Sequence, residues 1–219
     1  MVRAAHALVA LALVGVVSCG DDSTNPPTNP GPAANAPVVV VLGDSLTAGP
    51  GLRTEDAYPA VLQERARSAN LPHRFVNAGV TGDTTADALR RIDAALVPET
   101  RVLVVALAAN DGIVGVPVDT VKQNLRQIIQ RARTRNISVL LAGMESPPTH
   151  GVDYSVRFHN IFPELAAEFN LRLMPFLLQN VLGRADLNLP DGIHPNAAGM
   201  RVIATDMWPF LEPLLRATS

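Results

Sequence analysis

A single cysteine stands in the 219 residues, at position 19. That excludes an intramolecular disulfide and a cysteine-based zinc site. Aromatic residues make up only 4% of the chain, too few for the stacked walls of a sugar-binding cleft. Charge is sparse as well: 18 basic and 20 acidic residues give a formal net charge of −2. No dense basic cluster breaks that balance, because Arg131, Arg133 and Arg135 alternate along a helical segment and fan out, so nucleic acid is excluded as a partner. What the chain does have is 47% hydrophobic content over a length that supports one sizeable core and not two. A monomer with one globular domain is the expectation.

Where Cys19 lies decides its meaning. Residues 1–18 hold one basic residue, Arg3, then an apolar stretch over 7–17, then Ser18, which is the layout of a secretory signal and is too short to span a bilayer. Val16-Val17-Ser18-Cys19 resembles the bacterial lipobox, in which cleavage leaves a cysteine that is lipidated at the new N-terminus; an ordinary signal peptide with a chance cysteine is the alternative. Residues 20–37 contain five prolines among Asp, Ser, Thr and Asn, with almost nothing to bury, and so read as a flexible tether. The expected organisation is a signal peptide over 1–18, a lipidated cysteine and linker over 19–37, and a folded domain over 38–219. Such a protein is exported and held at a membrane surface through a lipid at Cys19, facing the periplasm or the cell exterior.

Strand and helix periods alternate through that domain. Residues 38–42 are continuously apolar and mostly β-branched, the mark of a strand covered on both faces. The pattern then predicts a helix over 57–70 with Pro59 in its first turn, a strand over 73–77, a helix over 84–96 and a third apolar strand over 101–108. A helix capped by Asp119 or Thr120 buries Val121, Leu125, Ile128, Ile129 and Ala132, and ends at Asn136. Strand four spans 137–144, a helix broken or kinked at Pro163 spans 154–169, strand five spans 171–174, and a last helix over 197–215 bends at Pro209. This alternation, joined by right-handed crossovers, gives an α/β fold: a three-layer α/β/α sandwich on a five-stranded parallel sheet of the flavodoxin-like kind.

In an open sheet of that kind, ligands sit beyond the carboxyl ends of the strands. Ser45 follows strand one in Gly43-Asp44-Ser45-Leu46, Gly82 follows strand two, and Asn110 follows strand three in Ala108-Ala109-Asn110-Asp111. Near the C-terminus, Pro190-Asp191-Gly192-Ile193-His194-Pro195-Asn196 places Asp191 three residues before His194, close enough for the carboxylate to bond one imidazole nitrogen and orient the other. A serine hydroxyl is a weak nucleophile at neutral pH and needs such a base. Taken singly, Ser45 could cap a helix, Asn110 could sit in a turn and His194 could start a helix. Their joint placement at successive strand ends favours chemistry. The Gly-x-Ser-x-Gly elbow of α/β-hydrolases is absent.

These four blocks resemble the SGNH hydrolases, also called GDSL esterases and lipases, and within them the bacterial multifunctional acyl-CoA thioesterase, arylesterase and lysophospholipase subgroup. The resemblance runs from residue 38 to about 215. It implies Ser45 as nucleophile, His194 as general base and then acid, and Asp191 as the residue that orients it. It further implies an oxyanion hole made of the backbone N–H groups of Ser45 and Gly82 and the side-chain amide of Asn110. No cofactor is implied, and no metal either, since His150 and Asp153 have no third ligand at useful spacing. One position departs: the third block usually begins with glycine, and here it is Ala108, whose methyl takes space where backbone and substrate approach.

The segments after strands three and four supply Ile113, Val114, Val116 and Pro147 as candidate walls of an acyl pocket. In the resembling subgroup these regions border the acyl chain, so the resemblance implies an apolar acyl group, in a lysophospholipid, aryl ester or thioester, as the substrate. A carbohydrate or cell-wall O-acetylesterase is the alternative enzyme, and it would be marked by an aromatic-rich polar cleft. A catalytically silent binding lipoprotein is the alternative outside enzymology, and it would have lost a triad member; none is lost.

Overall fold

The computed structural model describes residues 35–219, and the expected signal segment, Cys19 and the tether up to residue 34 lie outside the described residues. The first strand, β1 (Val38–Gly43), is buried at all six positions, so it needs cover on both faces and a neighbour on both edges. It has them. β1 pairs in parallel with β2 (Arg74–Gly79) on one side and β3 (Thr100–Ala106) on the other, and β4 (Ser138–Ala142) and β5 (Arg172–Met174) extend the sheet beyond β3. The order β2-β1-β3-β4-β5 is the flavodoxin-like one. The chain steps outward from β1 to β2 and then back across to β3, so the crevice between diverging connections opens at the carboxyl ends of β1 and β3.

Two opposite crossover directions put helices on both faces. α2 (Tyr58–Ser68) and α7 (Ala197–Ala217) pack together, while α3 (Thr85–Ala95), α5 (Val118–Arg133) and α6 (Val152–Phe169) pack side by side in that sequence. α5 buries Val121, Leu125, Ile128, Ile129 and Ala132 along one stripe, as its spacing requires. Its start differs from expectation. Pro117 occupies the cap and lends no side-chain bond, so Asp119 and Thr120 fall within the first turn; the helix ends at Arg133, and Asn136 sits beyond it at φ 56°. α6 and α7 run unbroken through Pro163 and Pro209. Both prolines are exposed, so the carbonyls they leave without donors can be hydrated.

Two short helices escape the sequence pattern: α1 (Ser45–Ala48) and α4 (Ala109–Val114), each starting just past the end of a central strand. The N-terminal edge of the domain also starts earlier than residue 38. Ala36 is buried, and the Pro37 carbonyl accepts from the Arg74 N–H at 2.9 Å, which extends the β1–β2 ladder into the expected tether.

Candidate active site

Asp44 turns the end of β1 into α1. Its Oδ1 accepts the Leu46 N–H at 2.9 Å and caps the helix whose first residue is Ser45. The turn is tight enough that a Cβ on Gly43 would lie 2.0 Å from the Thr47 hydroxyl, so only glycine fits there. The Asp44 carboxyl itself is fully buried, and its Oδ2 has no hydrogen-bond partner among the described residues. Burial, opposed by the Leu46 N–H and by the nearby imidazole of His194, pushes the carboxyl up to about 6.

Ser45 Oγ lies 2.9 Å from His194 Nε2, across 149 residues of sequence. The other ring nitrogen, Nδ1, lies 2.6 Å from Asp191 Oδ2, while Asp191 Oδ1 accepts the backbone N–H groups of Ile193 and His194, both at 2.9 Å. These bonds, the His194 N–H foremost, hold the Asp191 carboxyl down at about 2, so it is ionised throughout the neutral range. An ionised partner keeps a proton on Nδ1 and leaves Nε2 as the acceptor facing Ser45. The turn is fixed from both sides: Leu189 donates to the His194 carbonyl at 2.7 Å, and Asn196 caps α7 immediately after it.

Asn110 is bonded to the turn that carries Gly82. Val80 to Asp83 forms a turn closed by the Asp83 N–H on the Val80 carbonyl at 3.1 Å, with Gly82 third at φ +86°, a conformation open to glycine and costly to other residues. Asn110 Nδ2 donates to the Asp83 carbonyl at 2.8 Å, and its second amide hydrogen has no acceptor among the described residues. The Ser45 and Gly82 N–H groups have no acceptor among the described residues. Asp111, next to Asn110, is buried and accepts both the N–H and the hydroxyl of Thr85, at 2.9 and 2.7 Å, which ties α4 to the start of α3.

Beside the serine opens a cavity of about 470 Å³. Ile113, Met144, Pro147, Phe176, Leu178 and Leu182 are among its apolar lining, and Ser45, Asn110, Glu145, Ser146 and His194 supply its polar lining. Of the four pocket residues expected from sequence, Ile113 and Pro147 line the cavity; Val114 and Val116 do not. α4 turns Val114 outward, to 67% exposure, and Val116 packs against the core. Gly82 lies outside the cavity, beside the Asn110 bond. The wall from 176–182 went unread in the sequence, although Phe176-Leu177-Leu178 is an apolar cluster between β5 and α7 that could have marked it.

Ala108 does not narrow the cavity; Ala109 lines it instead. Ala108 is fully buried at φ +95°, ψ −1°, so a methyl in the left-handed region, rather than lost space, is what replacing the usual glycine costs. His150 Nε2 bonds the Ile113 carbonyl at 3.0 Å, and among the described residues no group of three His, Cys, Asp or Glu side chains is placed to hold an ion.

Residues 41–202 match the GDSL-like lipase/acylhydrolase family. The chain belongs to this family. It is 38% identical over 183 residues to the esterase TesA of Pseudomonas aeruginosa, covering 83% of this chain and 91% of that one. It is 36% identical to the thioesterase 1/protease 1/lysophospholipase L1 of Escherichia coli, over 85% of this chain and 89% of the other. Among solved structures, a crystal structure of TesA superposes with a TM-score of 0.77 at 36% identity, covering 81% of this chain and 99% of that one. The protein is accordingly an SGNH-type carboxylic ester hydrolase, on the fold this family uses for ester and thioester hydrolysis.

Proposed function

We propose that the protein hydrolyses esters and thioesters of apolar acids through an acyl-enzyme on Ser45, acting on lysophospholipids, aryl esters or acyl thioesters. The observation that carries this reading is the 2.9 Å Ser45–His194 hydrogen bond in the lining of a largely apolar cavity. A volume of about 470 Å³ falls within the range of small-ligand pockets, and its wall, mostly aliphatic side chains and prolines with the ring of Phe176 among them, offers contact to methylenes.

His194 Nε2 takes the Ser45 proton as Oγ bonds to the acyl carbon, and Asp191 stabilises the imidazolium that results. The carbonyl oxygen becomes an oxyanion that receives the Ser45 and Gly82 N–H groups and the second amide hydrogen of Asn110, donors worth on the order of 10²–10³ each in rate. Collapse breaks the bond to the alcohol or thiol, which leaves with the proton from His194. Water then attacks the acyl-enzyme with His194 again as base, releasing the acid and restoring Ser45.

The test runs wild type and Ser45→Ala side by side on p-nitrophenyl acetate, butyrate and octanoate. Wild type should prefer butyrate or octanoate, and Ser45→Ala should fall to background. Equal background rates for both proteins would overturn the enzyme reading, and activity on acetate alone would favour the O-acetylesterase.

The same proposal extends to the N-terminal segment: 1–18 as a signal peptide, Cys19 as the lipidated residue of an exported protein, and the proline-rich stretch as a tether to the membrane surface. Firm anchoring needs more than one acyl chain. Membrane partition of the full-length product should vanish in Cys19→Ala.

A further inference from the structure

All three proposed oxyanion donors are fastened to one side chain that no motif contains. Arg91, on α3, donates from Nε to Asp83 Oδ2 at 2.6 Å and from Nη2 to the Gly43 carbonyl at 3.0 Å. The ion pair is largely shielded, with 26% of the Arg91 and 12% of the Asp83 side chain exposed, so its charge-assisted bonds are stronger than those of a surface pair. Gly43 stands two residues before Ser45, and its carbonyl also accepts the Val80 N–H at 3.1 Å. Both ends of the turn that presents Gly82 are therefore held to the residue that leads into the nucleophile: Val80 directly, Asp83 through Arg91. The third donor hangs from the same place, because Asn110 Nδ2 bonds the Asp83 carbonyl.

We infer that Arg91 is a positioning residue for the oxyanion hole, setting the spacing of the Ser45, Gly82 and Asn110 donors through its paired bonds to Gly43 and Asp83. This rests on the reading of those three groups as the donors. It explains why the loop that carries Gly82, exposed and with open space around its Cα, can present an N–H at a fixed place. An oxyanion hole stabilises the transition state only if its donors are already in position, and a displacement near 1 Å is enough to cost roughly 10²-fold.

Arg91→Gln removes the charge and the fork, Arg91→Lys keeps the charge and forfeits one of the two bonds, and Asp83→Asn removes the ion pair while leaving the carbonyl that Asn110 uses. On p-nitrophenyl butyrate, Arg91→Gln and Asp83→Asn should each lower kcat by about ten- to a hundredfold with KM nearly unchanged, and Arg91→Lys should fall between them and wild type. In the double variant Arg91→Gln/Asn110→Ala the two losses should fail to multiply, because the first already displaces the amide the second deletes. A kcat for Arg91→Gln and Asp83→Asn equal to wild type would overturn the inference, as would losses that multiply with Asn110→Ala or a defect confined to KM. If instead Asn110→Ala itself leaves kcat unchanged, the reading of the oxyanion hole fails and the inference with it; the single variants thus tell the two failures apart. Should Arg91→Gln not fold, Asp83→Asn and Arg91→Lys carry the same comparison.

Discussion

Asp44 provides a measurable conflict between stability and function. Its carboxyl is fully buried, with one oxygen lacking a hydrogen-bond partner among the described residues, and is displaced from 3.8 to about 6 by that burial. At about 1.4 kcal/mol per pH unit, the displacement corresponds to about 3 kcal/mol. The sign follows from proton binding: between pH 3.8 and about 6 the native state holds a proton that the unfolded chain has released. Asp44 therefore supports folding below pH 3.8, and that support is lost as the pH rises through 6. Asparagine keeps the acceptor that caps α1 at Leu46 and carries no charge. The stability of Asp44→Asn relative to wild type, measured by urea denaturation across pH 4 to 7.5, should therefore rise by about 2.4 kcal/mol over that span, the remainder lying below pH 4. Taking the difference between the two proteins cancels groups that titrate equally in both, including Asp191 and His73. A difference that stays flat, or falls toward neutral pH, would refute the account of a buried, ionised Asp44. On the proposed mechanism the kcat of Asp44→Asn should fall below that of wild type, because the Asp44 charge would attract the imidazolium that the mechanism assigns to His194.

Three further outcomes follow from particular side chains. Ala108→Gly should leave the melting temperature unchanged or raised, whereas Ala66→Gly, in the buried face of α2, should cost about 1 kcal/mol; equal losses would show that the +95° φ of Ala108 carries no strain. His73 is buried, and burial lowers its pKa below 6.5, so its contribution to stability is present above pH 6.5 and lost as the pH falls below it; His73→Gln should flatten that acid loss in urea titrations. Leu182→Ser, on the cavity wall, should lower kcat/KM for p-nitrophenyl octanoate and leave acetate nearly untouched, and a uniform loss on both esters would remove Leu182 from the acyl site.

The strands were legible because a run such as Val38–Gly43, buried on both faces, has no other stable place than the middle of a sheet. Ser45, Gly82, Asn110 and His194 were legible for a related reason: polar or glycine residues that interrupt apolar strands, or precede a helix, fall where an open sheet places its ligands. α1 and α4 were not, because helices of four and six residues are too short to show a period. That gap had a consequence. Taking the segment after strand three as pocket wall places Val114 and Val116 on it, whereas the last turn of α4 carries Val114 into solvent. The opposite wall, from Phe176 to Leu182, depends on how a segment without regular period folds back over the β4 end, and nothing local fixes that.

Arg91 marks a different limit. Its partners are a carbonyl 48 residues away and a carboxylate 8 residues away, and an arginine on a helix reads from sequence as a solvated face. The costly features of the site were equally hidden: a carboxyl buried with one oxygen unbonded, and an alanine held in a glycine conformation. Local rules break at these two places, and each adjoins a residue of the proposed chemistry, Asp44 beside Ser45 and Ala108 two residues before Asn110. A chain free to relax would move both, and such movement would displace the donors they carry. The bonds that oppose it come from neighbouring elements: Arg91 to Gly43 and Asp83, and Thr85 to Asp111. Strain in the motif and restraint from α3 are thus two halves of one arrangement, and substitutions in either half should show in kcat before they show in KM.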